Sequence, residues 1–576
     1  MAELRGRSIR AEDLGWLSVA AGRHPWLRPG TTRSDLVRRK EQLLADGDAT
    51  GAAEAAGVLA AEAQVRAARV LQRWGGRVDP ATGLLPKGLV AADRVWDYAN
   101  AGADLYPHLV IAAALLRPGA YSSLLQVLPS ERALARPDGL PADVGLISGR
   151  AEEGEDLNDR VYGAVEYAKD ALLPMTERLG PGPWLDRMQE LAWTVSEVAP
   201  VRTRFGPIPS DTSEVNGQML QVLSRLYWAT GDEAYYSSAR RIARAYLELA
   251  LPGTDWVPMR SWDFRRERSN TRRAELRDHG NEIVAGLVEF HMIETARGEP
   301  GAPGHRAQIR LMLDRLLEVG RTPEGLWKSE IDLATGRSHG FALSDNWGYL
   351  YAAYLAQAMI EESWPGGDEQ TARRYRAAAG TGLEAASGLE LHPWQGAEQD
   401  GYADTIESAL YLLNRTDSPA AASWVDRQAG TLFGAQDANG RVEDRYLDGN
   451  FVRTALLYAA WQSRGVRLAP WEAGAMLGAV PHEACLTVAL AAGRDWSGRV
   501  IFDAPRHRLH FGLPLNYPRL NEWPEWFAAE PGRRYELDDS GGEVSGVHDG
   551  TALSDGLGLR LAAGTERRLE VCPAAR

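Results

Sequence analysis

Residues Arg260–Glu294 read RSWDFRRERSNTRRAELRDHGNEIVAGLVEFHMIE. An Arg-dense approach runs into Asp278-His279-Gly280-Asn281-Glu282 and then into Ile283, Val284, Leu287, Val288, Phe290, Met292 and Ile293. That is too many apolar positions for one wet face, so the helix is expected to be buried on most sides. A buried helix with a polar first turn aims that turn at something other than packed core.

The same junction recurs outward along the chain. Polar clusters followed by apolar helical runs begin near Asp104, Asp159, Glu214, Glu282, Asp345, Asp404 and Asp448, at separations of 55, 55, 68, 63, 59 and 44 residues. Between them lie one-sided helices. In Asp232–Ala250, Tyr235, Ala239, Ile242, Tyr246 and Leu249 share one stripe, while Arg240, Arg241, Arg244 and Glu248 lie elsewhere. His305–Gly320 and Glu369–Ala386 have the same pattern, and Gly320 sits where a helix C-cap is needed. Alternating buried and half-exposed helices predict two concentric rings. A closed ring needs no polar end repeats, unlike an open stack. The long loops into the buried helices, Pro200–Asp211, Leu251–Asp278, Trp327–Asp345 and Leu391–Asp404 among them, are where binding residues are expected.

The pattern changes after Gly465. Ala484–Ala492, Arg499–Asp503, Arg506–Leu515, Arg534–Leu537, Gly556–Leu561 and Arg568–Cys572 read as short strands, with Asp495–Gly498 as a turn. The expected architecture is mainly α, an (α/α)6-7 toroid of helical hairpins over 1–465, followed by a small antiparallel β domain over 466–576.

Composition narrows function. Hydrophobic residues make up 44% of the chain and Trp numbers 19, which excludes a disordered chain, and the net charge of −14 argues against a nucleic-acid partner. No run of about 18 apolar residues can span a bilayer, and the N-terminus lacks the apolar core of a signal peptide, so a cytoplasmic protein is expected, or a secreted or periplasmic one if a leader has been removed. Cys485 and Cys572, without metal-type spacing, are expected to be two reduced core thiols. No cofactor motif appears, and no G-x-S-x-G or H-E-x-x-H. Neither cofactor nor metal is expected, and chelators should leave activity unchanged.

The inner-helix starts Asp156–Ala168 (DLNDRVYGAVEYA), Asp211–Leu220 (DTSEVNGQML), Arg277–Leu287 (RDHGNEIVAGL), Leu343–Tyr354 (LSDNWGYLYAAY) and Asp400–Leu412 (DGYADTIESALYL) resemble those of the six-hairpin glycosidase superfamily. Within it the chain is similar to unsaturated glucuronyl hydrolases and related uronate-processing enzymes, over residues 50–465. The resemblance implies a glycoside hydrolase acting on uronic-acid-containing oligosaccharides or polysaccharides; charge and hydropathy, separately, lead to the expectation of neither nucleic acid nor membrane as partner.

Glycoside cleavage needs an acid at the leaving oxygen and commonly a second carboxylate. Asp159, Asp211, Glu214, Asp278, Glu282, Asp345, Asp404, Glu407 and Asp448 all lie near inner-helix starts. Asp278, Asp345, and Asp211 or Glu214 lead as acid/base candidates, with His279 as partner. Asn216, Asn281, Glu282, Trp347, Tyr349, Tyr402 and Asp404 are expected to line the substrate. Arg272 and Arg273 are candidates to fork onto a carboxylate. Six Trp in or beside the loops (Trp96, Trp256, Trp262, Trp327, Trp347, Trp394) are candidates to stack on sugar rings. Plain helix capping competes for each acid, since Asp211–Glu214 has the form of a capping box and Ser344, Asp345, Asp278 and Asp404 suit N-caps. His108 and His291 are expected in the core. A lyase using Asn216, His279 and Tyr349 or Tyr351, and a non-catalytic sugar-binding toroid, are the alternatives.

Overall fold

The computed structural model describes residues 32–338, 343–390, 392, 394 and 399–574, without the side chains of Asp278 and His279. Among the described residues, seven helical runs form an inner ring. The first joins a π-type stretch, Tyr98–Leu105, to the α-helix Tyr106–Leu116. The second runs Leu157–Leu179 through a π-type stretch at Tyr167–Leu172. The others are Ser213–Thr230, Asp278–Arg297, Trp347–Ser363, Gln399–Leu413 and Asp448–Gln462. Each packs on the next and the seventh packs back on the first, so the ring closes as the expected toroid.

The inner helices are buried nearly all round. In the fourth, Ile283, Val284, Leu287, Val288, Phe290, Met292 and Ile293 are all 0% exposed. Glycine lets neighbours in the ring come close: a Cβ on Gly217 would lie 2.2 Å from the carbonyl carbon of Glu282. The outer helices, such as Glu233–Ala245, Ala302–Val319 and Glu369–Ser387, bury one stripe each. The starts of Glu233–Ala245, Glu369–Ser387 and the outer helix Pro419–Phe433 carry side-chain caps, whereas Ala302–Val319 starts at Gly301 without one. Asp232 accepts from the Ala234 N–H, Asp368 from those of Gln370 and Thr371, and Ser418 from that of Ala421.

The loops entering the inner helices fold into small antiparallel hairpins. Val201–Thr203 pairs with Gly206–Ile208, Trp262–Asp263 with Arg268–Ser269, and Arg273–Glu275 joins Glu330–Asp332 and Arg337–Ser338 in a three-stranded sheet shared by two loops. These hairpins form a rim.

Beyond Gln462 the chain builds a five-stranded antiparallel sheet in the order Ala475–His482, Cys485–Ala492, Thr565–Pro573, Arg534–Asp539, Gly546–Asp549, and a three-stranded one of Arg467–Ala469, Trp496–Ile501 and Leu557–Leu561. The first strand of the larger sheet lies along the outer helix Ala49–Trp74, where a Cβ on Gly478 would be 2.1 Å from the Ala53 carbonyl oxygen.

Three expectations are corrected here. Asp495–Gly498 is not a turn, because Trp496 already opens a strand. Arg506–Leu515 is not a strand: Arg506–Phe511 is one short helix, ended at Gly512 with φ 68°. Its polar residues do not mark a wet face, because the consecutive Arg506 and His507 are both buried, against Asp503 and Glu525. Cys485 and Cys572 are not free thiols but a disulfide. The register sets Leu486 opposite Val571 and so brings the next residue of each strand together, which a sequence separation of 87 conceals.

The segment from Pro505 to Trp526 leaves the β region and covers the C-terminal ends of the inner helices. Phe511, Leu513, Tyr517, Leu520 and Trp523 join the ring's own core rather than the core of the sheets. One end of the lumen is thereby plugged.

Candidate active site

Inner helices turn polar side chains inward at steps of three and four. The sixth carries Asp400, Asp404, Glu407 and Tyr411, the seventh Asn450 and Arg453, the first Asn100, Asp104 and His108, and the second Tyr162, Glu166 and Asp170. Glu214, Gln218 and Gln221 on the third, Glu282 on the fourth, and Asn346 and Tyr349 on the fifth complete the lining. Asp104 lies in one π-type stretch and Lys169 and Asp170 in the other, and such widened turns are frequent at functional sites.

Hydrogen bonds tie these groups across the lumen. Arg453 reaches Asp404 at 2.5 Å and Glu407 at 2.8 Å. The Asn346 amide donates to Asp404 (2.9 Å), the Asn450 amide to Asp400 (2.8 Å), and the Gln218 amide to Glu166 (2.5 Å). Lys169 Nζ lies 2.7 Å from Glu282 and 2.8 Å from Asp170. Tyr349 donates to Glu407 at 2.9 Å, and Tyr411 donates to the same carboxylate. From the plugged end, the Asn521 amide donates to Asp170 and to the Lys169 carbonyl.

Acids outnumber bases in this space, which sets their protonation. Burial, then the neighbouring Asp170 and Asp400, holds Asp104 well above the carboxylate range. Burial with Asp170 and Glu214 does the same to Glu166, and burial with Asp400, Asp345 and Glu407 does so to Asp404 despite Arg453. Burial raises Glu282 to about 7 against the pull of Lys169. Crowded carboxyls cannot all ionise, so the lumen retains protons near neutrality. Asp104, Glu166, Asp170, Glu214, Asp400 and Arg453 are only half-buried, so solvent reaches part of each.

Capping does not explain these acids. Thr212, Arg277 and Asn346 occupy the N-cap positions of the third, fourth and fifth inner helices, and none makes a side-chain cap bond. The capping box expected at Asp211–Glu214 is not formed, and Asp404 lies inside its helix rather than at its start.

Of the expected site residues, Asp345, Glu214, Glu282, Tyr349 and Asp404 border the lumen. Asp278 and His279 form the first turn of the fourth inner helix, and their side chains lie outside the described residues. Others point elsewhere. Asp211 is at the rim, where Asn270 donates to it at 3.1 Å. Asn216 faces outward, its amide donating to the carbonyls of Ser210 (2.6 Å) and Thr212 (2.8 Å) and to Tyr246 (3.2 Å). Asn281 bonds the Leu276 carbonyl, Trp347 donates to Thr405, and Tyr402 donates to the His392 carbonyl. Arg272 and Arg273 are exposed, with Arg273 3.2 Å from Glu330. Asp448 accepts from Trp74 and stays in the packing. Trp96, Trp262, Trp327, Trp347 and Trp394 are buried, so they hold the loops and offer no sugar platform; Trp256 is half-buried. His291 is core as expected, whereas His108, also buried, lines the central cavity with Asp104, Glu407 and Arg453.

Sequence reasoning gave no role to Glu166, Lys169, Asp170, Asp400 or Arg453. The usable signal was acids at four-residue steps inside otherwise apolar helices, Glu166–Asp170 and Asp400–Asp404, rather than acids at helix starts.

No family model and no curated protein matches the chain in sequence. Among solved structures it is similar to a cellobiose 2-epimerase from Spirochaeta thermophila, at 14% identity and TM-score 0.40 over 63% of this chain and 88% of that one. It is also similar to a GH76A α-1,6-mannanase from Salegentibacter sp. HEL1_6, at 12% identity and TM-score 0.36 over 65% and 98%. The chain is an (α/α) toroid by the closure of its own helices. These likenesses concern fold alone and transfer no residue role.

Proposed function

We propose that this protein is a carbohydrate-active enzyme that cleaves glycosidic bonds by carboxylate acid/base chemistry in the toroid lumen. The observation that carries the reading is the carboxyl arc Glu214–Glu166–Asp170–Asp104–Asp400–Asp404 lining one solvent-reached space, in which burial and crowding push Glu166, Asp104 and Asp404 well above the ordinary carboxylate range. Glu166 is the proton donor. One of its oxygens accepts from Gln218, it is half-buried, and burial with Asp170 and Glu214 pushes its carboxyl well above the ordinary carboxylate range, the direction a proton donor needs. Asp400, on the sixth inner helix and oriented by Asn450, is the carboxylate that activates water.

The lyase alternative loses support from the same geometry. Asn216 is turned out of the lumen, and burial with Glu407 raises the Tyr349 phenol well above its ordinary range, the wrong direction for a base. The uronic-acid reading rests on Arg272 and Arg273, which stand exposed on the rim, so a carboxylated ring would meet them outside the lumen.

The test is a pair of variants. Glu166→Gln and Asp400→Asn should each keep the fold and lower turnover by roughly 10²- to 10⁴-fold. Activity of Glu166→Gln should be largely restored on glycosides whose leaving group needs no proton, and that of Asp400→Asn by added azide. Full turnover in both variants on a substrate the parent cleaves would remove the assignment.

A further inference from the structure

The lumen is rich in acceptors and holds no cation free to meet an anion among the described residues. Lys169 is engaged by Glu282 and Asp170, and Arg453 by Asp404 and Glu407. His108 is 3% exposed, and burial together with Arg453 depresses its basicity, so it adds no charge. A substrate carboxylate placed here would be a buried charge without a partner, which is strongly unfavourable.

A second observation points to what would fit. Gln218, Asn346 and Asn450 are 2%, 1% and 6% exposed, and each spends its NH2 on a lumen carboxylate. For Asn450 that contact fixes the amide orientation, because the Asp400 carboxylate can only accept; Gln218 and Asn346 stand the same way round in the structure. The carbonyl oxygens of all three then remain without a donor, as does Nδ1 of His108 without a partner. Buried acceptors left unpaired are costly, and a ligand carrying N–H and O–H groups relieves that cost.

We infer that the ring seated in this lumen carries a protonated amine, so that the substrate class is an amino-sugar glycoside with a free amino group, its ammonium placed among the lumen carboxylates and the amide carbonyls of Asn346 and Asn450. The inference rests on the carbohydrate-active reading above. Any uronate recognised by the rim arginines then belongs to a ring outside the lumen.

Calorimetric titration of the full chain at pH 6 with matched tetrasaccharides tests it: a glucosamine oligomer, its N-acetylated twin, the corresponding glucose oligomer and a glucuronate-bearing one. The amine-bearing ligand should bind about ten- to a hundredfold tighter than its N-acetylated twin, the range expected for a hydrogen bond to a charged group. The preference should shrink with added salt, and the uronate should bind most weakly. Equal binding of the amine and its N-acetylated twin, or tighter binding of the uronate, overturns the inference. Reducing ends measured in parallel separate the two readings. Cleavage of neutral sugars without an amine preference sinks only this inference, and amine-selective binding without cleavage sinks only the hydrolase. No binding of any sugar sinks both.

Discussion

The two ends of the lumen bury carboxylates to a similar degree and push them in opposite directions. At the plugged end Glu177 is 0% exposed; burial would raise it, yet Arg519, Arg225 and Arg506 hold it down at about 2. Toward the open end Glu282 is 1% exposed and sits up at about 7, since Lys169 is shared with Asp170 and does not offset burial. Arg225 with Glu289, and Arg415 with Glu522, extend the paired pattern across the plug. Burial alone therefore decides neither protonation nor purpose; the number of cations per carboxylate does. Where cations match acids the chain is being held together. Where acids outnumber cations, protons are stored for use.

The plugged end should show the largest effect on stability. Arg519→Met removes the partner that lies against both Glu177 oxygens and leaves that carboxylate with Arg506 4.0 Å away. Breaking such a buried pair costs about 3–5 kcal/mol, to be read as a shift in the urea midpoint at unchanged slope. A loss below about 1 kcal/mol would show that the plug is not held by its ion pairs. The stability that Glu177 contributes is present above the ordinary carboxylate range and is lost as pH falls toward about 2.

At the open end the pH dependence has the reverse sign. Glu282 is raised from its usual 4.5 to about 7, so between these values the folded chain binds more protons at this site than the unfolded chain. Stability should then fall as pH rises through that window and level off above it. Glu282→Gln should flatten the slope, a change of at most about 3 kcal/mol across the window. An unchanged slope would mean that Lys169 keeps Glu282 ionised throughout, and the contrast between the ends would weaken.

This contrast also marks what the sequence made readable. The repeat of buried and one-sided helices follows from apolar spacing that any seven-hairpin ring must carry, so Ile283–Ile293 and Tyr235–Leu249 could be assigned to inner and outer rings without coordinates. The lumen face was harder to read. Asp400, Asp404 and Glu407 share a helix face at a spacing that solvated acids also adopt, and only closure of the ring shows that this face points inward. Arg506–Leu515 misled for a related reason. The consecutive Arg506 and His507 are both buried, one against Asp503 three residues earlier and the other against Glu525, so polar side chains here do not mark the wet face of a strand. Trp-rich loops suggested platforms, but the same composition serves loops that need their own small cores.

The smallest expected effect is at the rim, and it tests whether charge there matters as charge does in the lumen. Arg272 and Arg273 are exposed, and the contact of Arg273 with Glu330 at 3.2 Å leaves Arg273 in solvent. Exposed pairs of this kind contribute about 0–1 kcal/mol and are screened by salt. Replacing both with Gln should leave the melting temperature nearly unchanged and should not alter discrimination between an amine-bearing and an N-acetylated ring in the lumen. If the rim meets carboxylates on outer rings of a longer substrate, KM for a carboxylated oligomer should rise by about tenfold or less, the value of losing one exposed charged contact, with kcat constant. KM for a neutral oligomer of the same length should stay fixed. Equal changes for charged and neutral oligomers would detach the rim from carboxylate recognition, leaving the arginines as part of the hairpin surface and the lumen as the sole source of charge selectivity.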